Sequence, residues 1–216
     1  MLLQVSSAGR LRLALVLCLA LTVSVLGQRP AGAATRVFSD DFEDGNSAGW
    51  TVLRGAWSVC QPAGQTRSYC VTAPTGVYPL TMAGSTAWTD YSVEASVYVT
   101  GVDGGAGIIG RAKDKNHFYL LQLKQFRKLW GWVLHRRDGD HWVDIAWGSY
   151  SWTAGRRYNL KLDFRGSTLT ALISLDGGLT YTRLGGTTDA TYASGRIGLR
   201  AWDTTAYFDN VRVTTP

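Results

Sequence analysis

Apolar and polar residues alternate with a period of two along much of the chain, between short stretches rich in Gly and Asp. Because successive side chains of a β-strand point to opposite faces, this pattern predicts strands that each bury one face. The predicted strands are Tyr91–Val99, Ala106–Ala112, His117–Gln125, Leu129–Arg136, His141–Gly148, Arg157–Phe164, Leu169–Leu175, Arg196–Trp202 and Ala206–Val213. So many strands predict an all-β fold, a sandwich of two antiparallel sheets.

The dipeptide Asp138-Gly139 predicts a tight turn between two of these strands. The cross-strand pairs that follow are Arg136 with His141, Leu134 with Val143, Trp132 with Ile145 and Trp130 with Trp147. This side is overwhelmingly apolar, so it is predicted to face the core. An even-numbered turn before Leu129 adds Tyr119, Leu121 and Leu123 to the same side.

The opposite face of these strands is polar and aromatic, and it is the predicted ligand-binding surface. Its candidate residues are Arg111, Gln122, Lys124, His135, Trp142 and Asp144. Gly107 and Gly131 leave bare backbone beside Gln122, which predicts a shallow groove surrounded by hydrogen-bond donors. Trp202 is a further candidate because exposed aromatic rings stack on sugar rings. The alternative is an ordinary solvated face.

The first 33 residues are typical of a secretory signal peptide. Arg10 and Arg12 precede an apolar run over Leu13–Leu26, and Ala31-Gly32-Ala33 is a small-residue cleavage site. We therefore predict a secreted, extracellular chain that carries one domain over residues 34–216 and no membrane anchor after cleavage. Three of the 22 Lys and Arg residues lie in this leader, so 19 basic residues face 16 acidic ones, a net charge of +3. That excess is too mild to indicate a nucleic-acid-binding protein.

Without the leader's Cys18, the cysteines are Cys60 and Cys70. Two cysteines in an exported chain most simply pair, so we predict a disulfide bond that closes a short polar loop.

Segments near the two ends of the chain resemble the first and last strands of one fold family. Near the start stands Val37-Phe38-Ser39-Asp40-Asp41-Phe42, and near the end stand Gly195-Arg196-Ile197-Gly198-Leu199 and Tyr207-Phe208-Asp209-Asn210-Val211. They resemble the concanavalin A-like, or laminin-G-like, jelly-roll domains of secreted carbohydrate-active proteins. The resemblance extends over Val37–Val213 and implies a jelly-roll sandwich.

The resemblance also implies a ligand and a metal. In the resembling domains ligands often lie on the concave outer face of a sheet, so the leading hypothesis is a protein that binds a polysaccharide or glycan without transforming it. The basic character favours an acidic glycan or a polyhydroxylated chain end. Some resembling domains hold a structural Ca²⁺ between the terminal strands, which makes Asp41 and Asp209 candidate ligands. The alternative is that these acids cap turns or meet arginines.

Two other functions stay open. The resemblance extends to polysaccharide lyases that carry similar residues on their concave sheet. In a lyase Arg111, Gln122 and Lys124 would neutralise a uronate carboxylate, His135 would be the base, and Tyr150 or Tyr119 the acid. A glycoside hydrolase with paired glutamates is disfavoured because Glu43 and Glu94 stand in no such motif. The third possibility is a protein-interaction domain of laminin-G type.

Overall fold

The computed structural model describes residues 34–101, 103–126 and 129–216, and these residues fold into strands and turns without a helix. The predicted leader lies outside them. The first seven strands are β1 (Thr35–Asp40), β2 (Trp50–Arg54), β3 (Trp57–Cys60), β4 (Ser68–Thr72), β5 (Leu80–Ala83), β6 (Tyr91–Val99) and β7 (Gly105–Asp114). The others are β8 (His117–Phe126), β9 (Leu129–Asp138), β10 (His141–Ser149), β11 (Arg157–Arg165), β12 (Thr168–Ser174), β13 (Thr182–Thr188), β14 (Arg196–Trp202) and β15 (Thr205–Thr215). The all-β prediction is confirmed.

The strands form two antiparallel sheets, which confirms the predicted sandwich. One sheet has eight strands in the order β13-β12-β11-β6-β15-β4-β3, and β1 also pairs with β15. The other has seven strands in the order β10-β9-β8-β7-β14-β5-β2. The long strand β15 has room for two neighbours on one side, since β4 pairs with Thr205–Phe208 and β1 with Val211–Thr215.

The core lies between the sheets and is built from alternate residues of both. Val93 and Leu160 of the eight-stranded sheet and Ile108 and Leu121 of the seven-stranded sheet are among its fully buried members. A second, smaller cluster lies apart from this core. Its members are Leu80, Met82, Ile109, Ala112, Phe118 and Leu120, with Leu53 packed against them. Ile109 and Leu120 pair across β7 and β8, on the face opposite to Ile108 and Leu121, so the outer face of the seven-stranded sheet is partly apolar.

The predicted sidedness of β8 and β9 is confirmed. Tyr119, Leu121 and Leu123 lie opposite Arg136, Leu134 and Trp132, and apart from Arg136 these residues belong to the core. Gln122 and Lys124 lie on the outer face, opposite Val133 and Gly131.

The predicted pairing of β9 with β10 is wrong by two residues. Asp138 pairs with His141, so the turn residues are Gly139 and Asp140, and Arg136 lies opposite Val143 instead of His141. A shift of two, which holds from His141 to Asp144, preserves the face that each side chain occupies, because the side-chain period of a strand is two residues. Beyond the irregularity between Asp144 and Ala146 the shift grows by one residue, and the faces reverse.

Cys60 and Cys70 form the predicted disulfide bond, with their Cα atoms 5.9 Å apart. The bond joins β3 to β4 at the edge of the eight-stranded sheet and closes the loop between them. Within residues 34–101, 103–126 and 129–216, no helix is long and apolar enough to cross a membrane.

Candidate functional site

An open groove of about 330 Å³ lies on the outer face of the seven-stranded sheet. This volume is at the lower end of the range for small-ligand sites. Its lining residues come from the neighbouring strands β8, β9 and β10, from β14 beyond β7, from the end of β2 and from the segment before β5. They are Arg54, Tyr78, Gln122, Lys124, His135, Arg137, Trp142, Arg200 and Trp202. Five of the predicted ligand-binding residues therefore meet in one place, and Asp144 contacts one of them.

Glycines give the groove its depth. A Cβ added to Gly107 would lie 2.6 Å from Cα of Gln122, and one added to Gly105 would lie 2.4 Å from the side-chain Nε2 of Gln122. Because only glycine allows so close an approach, the Gln122 side chain lies directly against the backbone of β7. This agrees with the bare backbone that the sequence predicts beside Gln122.

Arg200 is the most buried cation that lines the groove, with 8% of its surface exposed. Its guanidinium lies 4.7 Å from the ring centroid of Trp142 and 5.2 Å from that of Tyr78. Nη1 donates a long hydrogen bond of 3.5 Å to Oε1 of Gln122. Burial, and then the charges of Arg137 and Arg54, lower the pKa of Arg200 to about 10. The group stays cationic at neutral pH, at an electrostatic cost that an anion would relieve.

The groove is strongly cationic. Arg54, Lys124 and Arg137 join Arg200 in its lining, and none of the described lining residues is acidic. The guanidinium of Arg137 lies over Trp142, 5.1 Å from the ring centroid, while its Nε donates to the carbonyl of Gly139. Clefts lined by one sign of charge focus the electrostatic potential, so the groove is suited to an anionic group.

His135 and Asp144 form a pair beside the groove. Nδ1 of His135 lies 2.6 Å from Oδ1 of Asp144, and the imidazole meets Trp142 edge-on with ring centroids 5.3 Å apart. Burial lowers the pKa of His135 to about 4, although Asp144 opposes the shift. At neutral pH the imidazole is therefore neutral. Because an ionised carboxylate only accepts hydrogen bonds, Nδ1 carries the proton and Nε2 is the basic nitrogen.

Arg111 does not lie in the groove, so its predicted position is wrong. The β7–β8 pairing is irregular between Gly110 and Asp114, and Arg111 itself has a φ of 47°. Such a bulge reverses the face on which the following side chain lies. Arg111 is 1% exposed, and its guanidinium donates to the carbonyls of Thr89 and Tyr192.

The partners of Arg111 are structural. The guanidinium also pairs with Asp90 at 3.2 Å and lies over the core residue Phe164, 4.7 Å from its ring centroid. These contacts tie the β7–β8 end of one sheet to the other sheet. The buried arginine of the groove is instead Arg200 of β14, which lies opposite Gly107.

Neither tyrosine predicted as a lyase acid lines the groove. The Tyr119 hydroxyl donates to Oδ1 of Asp189 at 2.6 Å on the core side of its strand. Tyr150 packs against the core, and its ring lies 6.4 Å from that of Tyr158. Of the proposed lyase residues, the groove brings together Gln122, Lys124 and His135.

Trp147 is also placed differently from its prediction. A bulge between Asp144 and Ala146 reverses the alternation of β10, so Ala146 packs towards the core and Trp147 lies opposite Val133 on the outer face. Its side chain is 74% exposed instead of buried. Trp132, by contrast, is 5% exposed in the core as predicted, and the side chain of Trp130 lies outside the described part.

The predicted calcium ligands are held by protein groups. Oδ1 of Asp209 accepts the backbone N–H of Asn210, Oδ2 accepts the Thr66 hydroxyl, and Arg157 lies 3.7 Å away. Asp41 caps a turn by accepting the backbone N–H of Glu43. Within the described residues no cluster of three or more His, Cys, Asp or Glu is arranged to hold a metal. Asp209 and Asp41 thus have the turn-cap and arginine partners of the alternative interpretation, and the calcium site stays a prediction.

Four lining residues were missed by the sequence reasoning. The sequence does indicate Arg200 and Arg137, because residues two apart on a strand share a face. Arg200 lies two residues from the predicted site residue Trp202, and Arg137 lies two residues from His135. Arg54 lies at the end of a short strand and Tyr78 in a connecting segment. Their approach to the groove depends on long-range packing that no local pattern encodes.

No protein-family model and no curated protein matches the chain. Solved structures do match. The carbohydrate-binding module CBM66 from Bacillus subtilis superposes with a TM-score of 0.61 and 21% identity, over 77% of this chain and 95% of that one. The CBM2 module of the evolved Dit of Lactobacillus casei BL23 phage J-1 superposes with a TM-score of 0.56 and 16% identity, over 84% of this chain and 95% of that one.

A xylan β-1,4-xylosidase from Bacillus halodurans C-125 also matches, with a TM-score of 0.65 and 16% identity over 81% of this chain. The match spans 38% of the xylosidase's length. At such identities the likeness shows a shared fold, the β-sandwich of carbohydrate-binding modules and of a domain in that enzyme, and leaves the ligand to be argued from the site.

Proposed function

We propose that this chain is a secreted carbohydrate-binding protein and that the groove on its seven-stranded sheet holds an acidic glycan. The observation that carries the proposal is Arg200, a buried cation that faces the groove between two aromatic rings and whose neighbouring charges are the cations Arg54 and Arg137. A carboxylate or sulfate on a sugar would supply the missing negative charge. The fold likeness to carbohydrate-binding modules supports the sugar part of the proposal.

Each part of a glycan has a complementary group in the groove. Arg200 and Lys124 would hold the anionic substituent, because charge-assisted hydrogen bonds are about twice as strong as neutral ones. Gln122 and Nε2 of His135 would bind hydroxyl groups. Trp142 and Trp202 would contact the apolar face of a sugar ring. The pocket is open and shallow, as a site for part of a long polymer requires.

Affinity electrophoresis tests this proposal. Gels would contain polygalacturonate, alginate or chondroitin sulfate, with neutral xylan and cellulose derivatives as comparison. We expect retardation by at least one acidic polymer, weakened by added salt because the groove's charges are screened. Arg200→Gln should abolish the retardation, whereas Lys115→Gln, which removes an exposed cation from the β7–β8 turn, should preserve it. Retention of binding by Arg200→Gln, or retardation by no acidic glycan, would sink the proposal.

Lyase activity is a second candidate, favoured by the neutral His135 beside Asp144. A base that is unprotonated at neutral pH would accept the C5 proton of a uronate bound through Lys124 and Gln122, while a C4–C5 double bond forms, the C4–O glycosidic bond breaks and water protonates the leaving oxygen. Following the ultraviolet absorbance of an unsaturated uronate in the same glycan mixtures distinguishes the two functions. A steady rise that His135→Gln eliminates would identify an enzyme, and a flat trace with retained binding would identify a binding protein.

A further inference from the structure

Trp147 lies on the same sheet face as the groove, outside the set of residues that line it. It lies on the outer face of β10, opposite Val133, which in turn lies opposite Gln122. The Trp147 backbone is therefore two strands from Gln122, roughly 10 Å at the usual spacing of paired strands. That separation is larger than one sugar ring, so a single ring on Gln122 and Arg200 would leave Trp147 uncontacted.

The floor between the groove and Trp147 is low. Gly131 and Val133 are the outer-face residues of β9 at this place, and a Cβ added to Gly131 would meet the carbonyl oxygen of Gly148 at 2.6 Å. Gly131 has no side chain and Val133 is buried, so neither residue separates the groove from Trp147. The surface consequently continues from Gln122 past Lys124 to the indole of Trp147.

A β-bulge in β10 places Trp147 on the outer face of the sheet. Without the irregularity between Asp144 and Ala146, the alternation of β10 would direct residue 147 towards the core. Bulges beside functional sites commonly redirect a side chain in this way. Here the bulge leaves 74% of a tryptophan in solvent, more than any other tryptophan whose side chain is described.

Resting on the function proposed above, we propose that Trp147 is a second sugar-binding platform and that the protein recognises an internal run of an acidic glycan, not a single terminal sugar. The anionic sugar would lie on Arg200 and Gln122, and a neighbouring sugar of the same chain would stack on Trp147. Trp147, Val133 and Gln122 lie in one row across three neighbouring strands, and Arg200 continues that row beyond Gly107. The bound chain would therefore cross the strands of the sheet instead of following one of them.

Titration calorimetry with galacturonic acid oligomers and mannuronic acid oligomers, from the monomer to the hexamer, tests the proposal. For the wild type we expect affinity to rise with chain length. Trp147→Ala should leave the affinity for the shortest ligand that binds unchanged and lower the affinity for the hexamer about tenfold, the effect of one lost aromatic stack. Trp147→Phe should restore most of it. Val143→Ala is the matched control, since Val143 is an exposed apolar residue of the same strand.

The outcomes separate the two proposals. If the oligomers bind and Arg200→Gln abolishes binding, but Trp147→Ala weakens all lengths equally or none, the second platform is wrong and the groove stands. If no oligomer binds the wild type, the second platform is wrong, and the affinity gels with all the acidic polymers decide whether the groove stands. An exposed tryptophan on an edge strand can also serve self-association, and light scattering on the same samples tests this. A dimer that Trp147→Ala converts to a monomer would assign the residue to self-association and overturn the platform.

Discussion

The guanidinium of Arg200 lies 4.7 Å from the ring centroid of Trp142 and has Tyr78 on another side, 5.2 Å away. The groups that pack against this guanidinium are thus aromatic rings and not carboxylates. An ion pair would neutralise this arginine within the protein, whereas aromatic faces position it and leave its charge available. Without a ligand, the buried charge of Arg200 therefore lowers the stability of the folded protein, and an anionic ligand would remove this electrostatic cost.

Arg200→Met tests that cost. Methionine retains the packing between the rings and removes a buried charge that Arg54 and Arg137 oppose. We expect the free energy of unfolding of the ligand-free protein to stay constant or rise by about 1 kcal/mol, as with other unpaired buried charges, while binding of acidic glycan is lost. Chemical denaturation of both proteins measures the effect. A loss of about 2 kcal/mol or more would show that Arg200 has a structural role instead.

The pKa of His135 predicts acid sensitivity. Burial lowers this pKa to about 4, from an ordinary value of 6.5. Between those values the unfolded chain binds a proton that the folded protein does not. The free energy of unfolding should therefore fall as the pH decreases through this range, by about 2 kcal/mol at pH 5 relative to pH 7.

Melting temperatures across that pH range check this expectation. His135→Gln removes the titrating group and should flatten the dependence between pH 7 and 5. His141→Gln is the control, because His141 is exposed on the adjacent strand. An unchanged slope in His135→Gln would mean that another group causes the acid sensitivity.

Arg111→Met should destabilise the protein and leave the groove intact. The substitution leaves the carbonyls of Thr89 and Tyr192 without their donors and removes the ion pair with Asp90. We expect a loss of about 3 kcal/mol in the free energy of unfolding. At a temperature where the variant remains folded, its affinity for glycan should equal that of the wild type. Loss of affinity in the folded variant would show that Arg111 contributes to glycan binding after all.

The disulfide bond should stabilise the fold modestly. The two cysteines are 10 residues apart, and constraining so short a loop in the unfolded chain contributes about 2–3 kcal/mol. Urea denaturation with and without a reductant measures the difference. The Cys60→Ala, Cys70→Ala double variant should match the reduced protein and should not respond to the reductant. A response of the double variant would show that the reductant acts elsewhere.

Much of the architecture follows from local sequence pattern. Strands with clear alternation, such as Tyr91–Val99, occur where they are predicted, and the outer-face positions of Gln122, Lys124 and His135 follow from counting residues along paired strands. Short strands such as Leu80–Ala83 were missed, since four residues carry too little alternation to be distinguished from a connecting segment.

The misplaced residues have a common physical cause. Arg111 and Trp147 each follow a bulge, and one extra residue reverses the face of every side chain beyond it. A bulge depends on the register with the neighbouring strand, which local alternation does not contain. Arg54 and Tyr78 reach the groove through contacts distant in sequence, so their contribution is also beyond local pattern.

The close approach of Gln122 to Gly105 and Gly107 has a consequence for engineering. That part of the groove floor is the β7 backbone, which substitutions of the surrounding side chains leave in place. The preference for one ligand over another depends on those surrounding side chains. Libraries that vary Arg54, Tyr78 and Trp202 together should therefore yield folded proteins with new sugar preferences, whereas randomising Gly105 or Gly107 should yield few folded members.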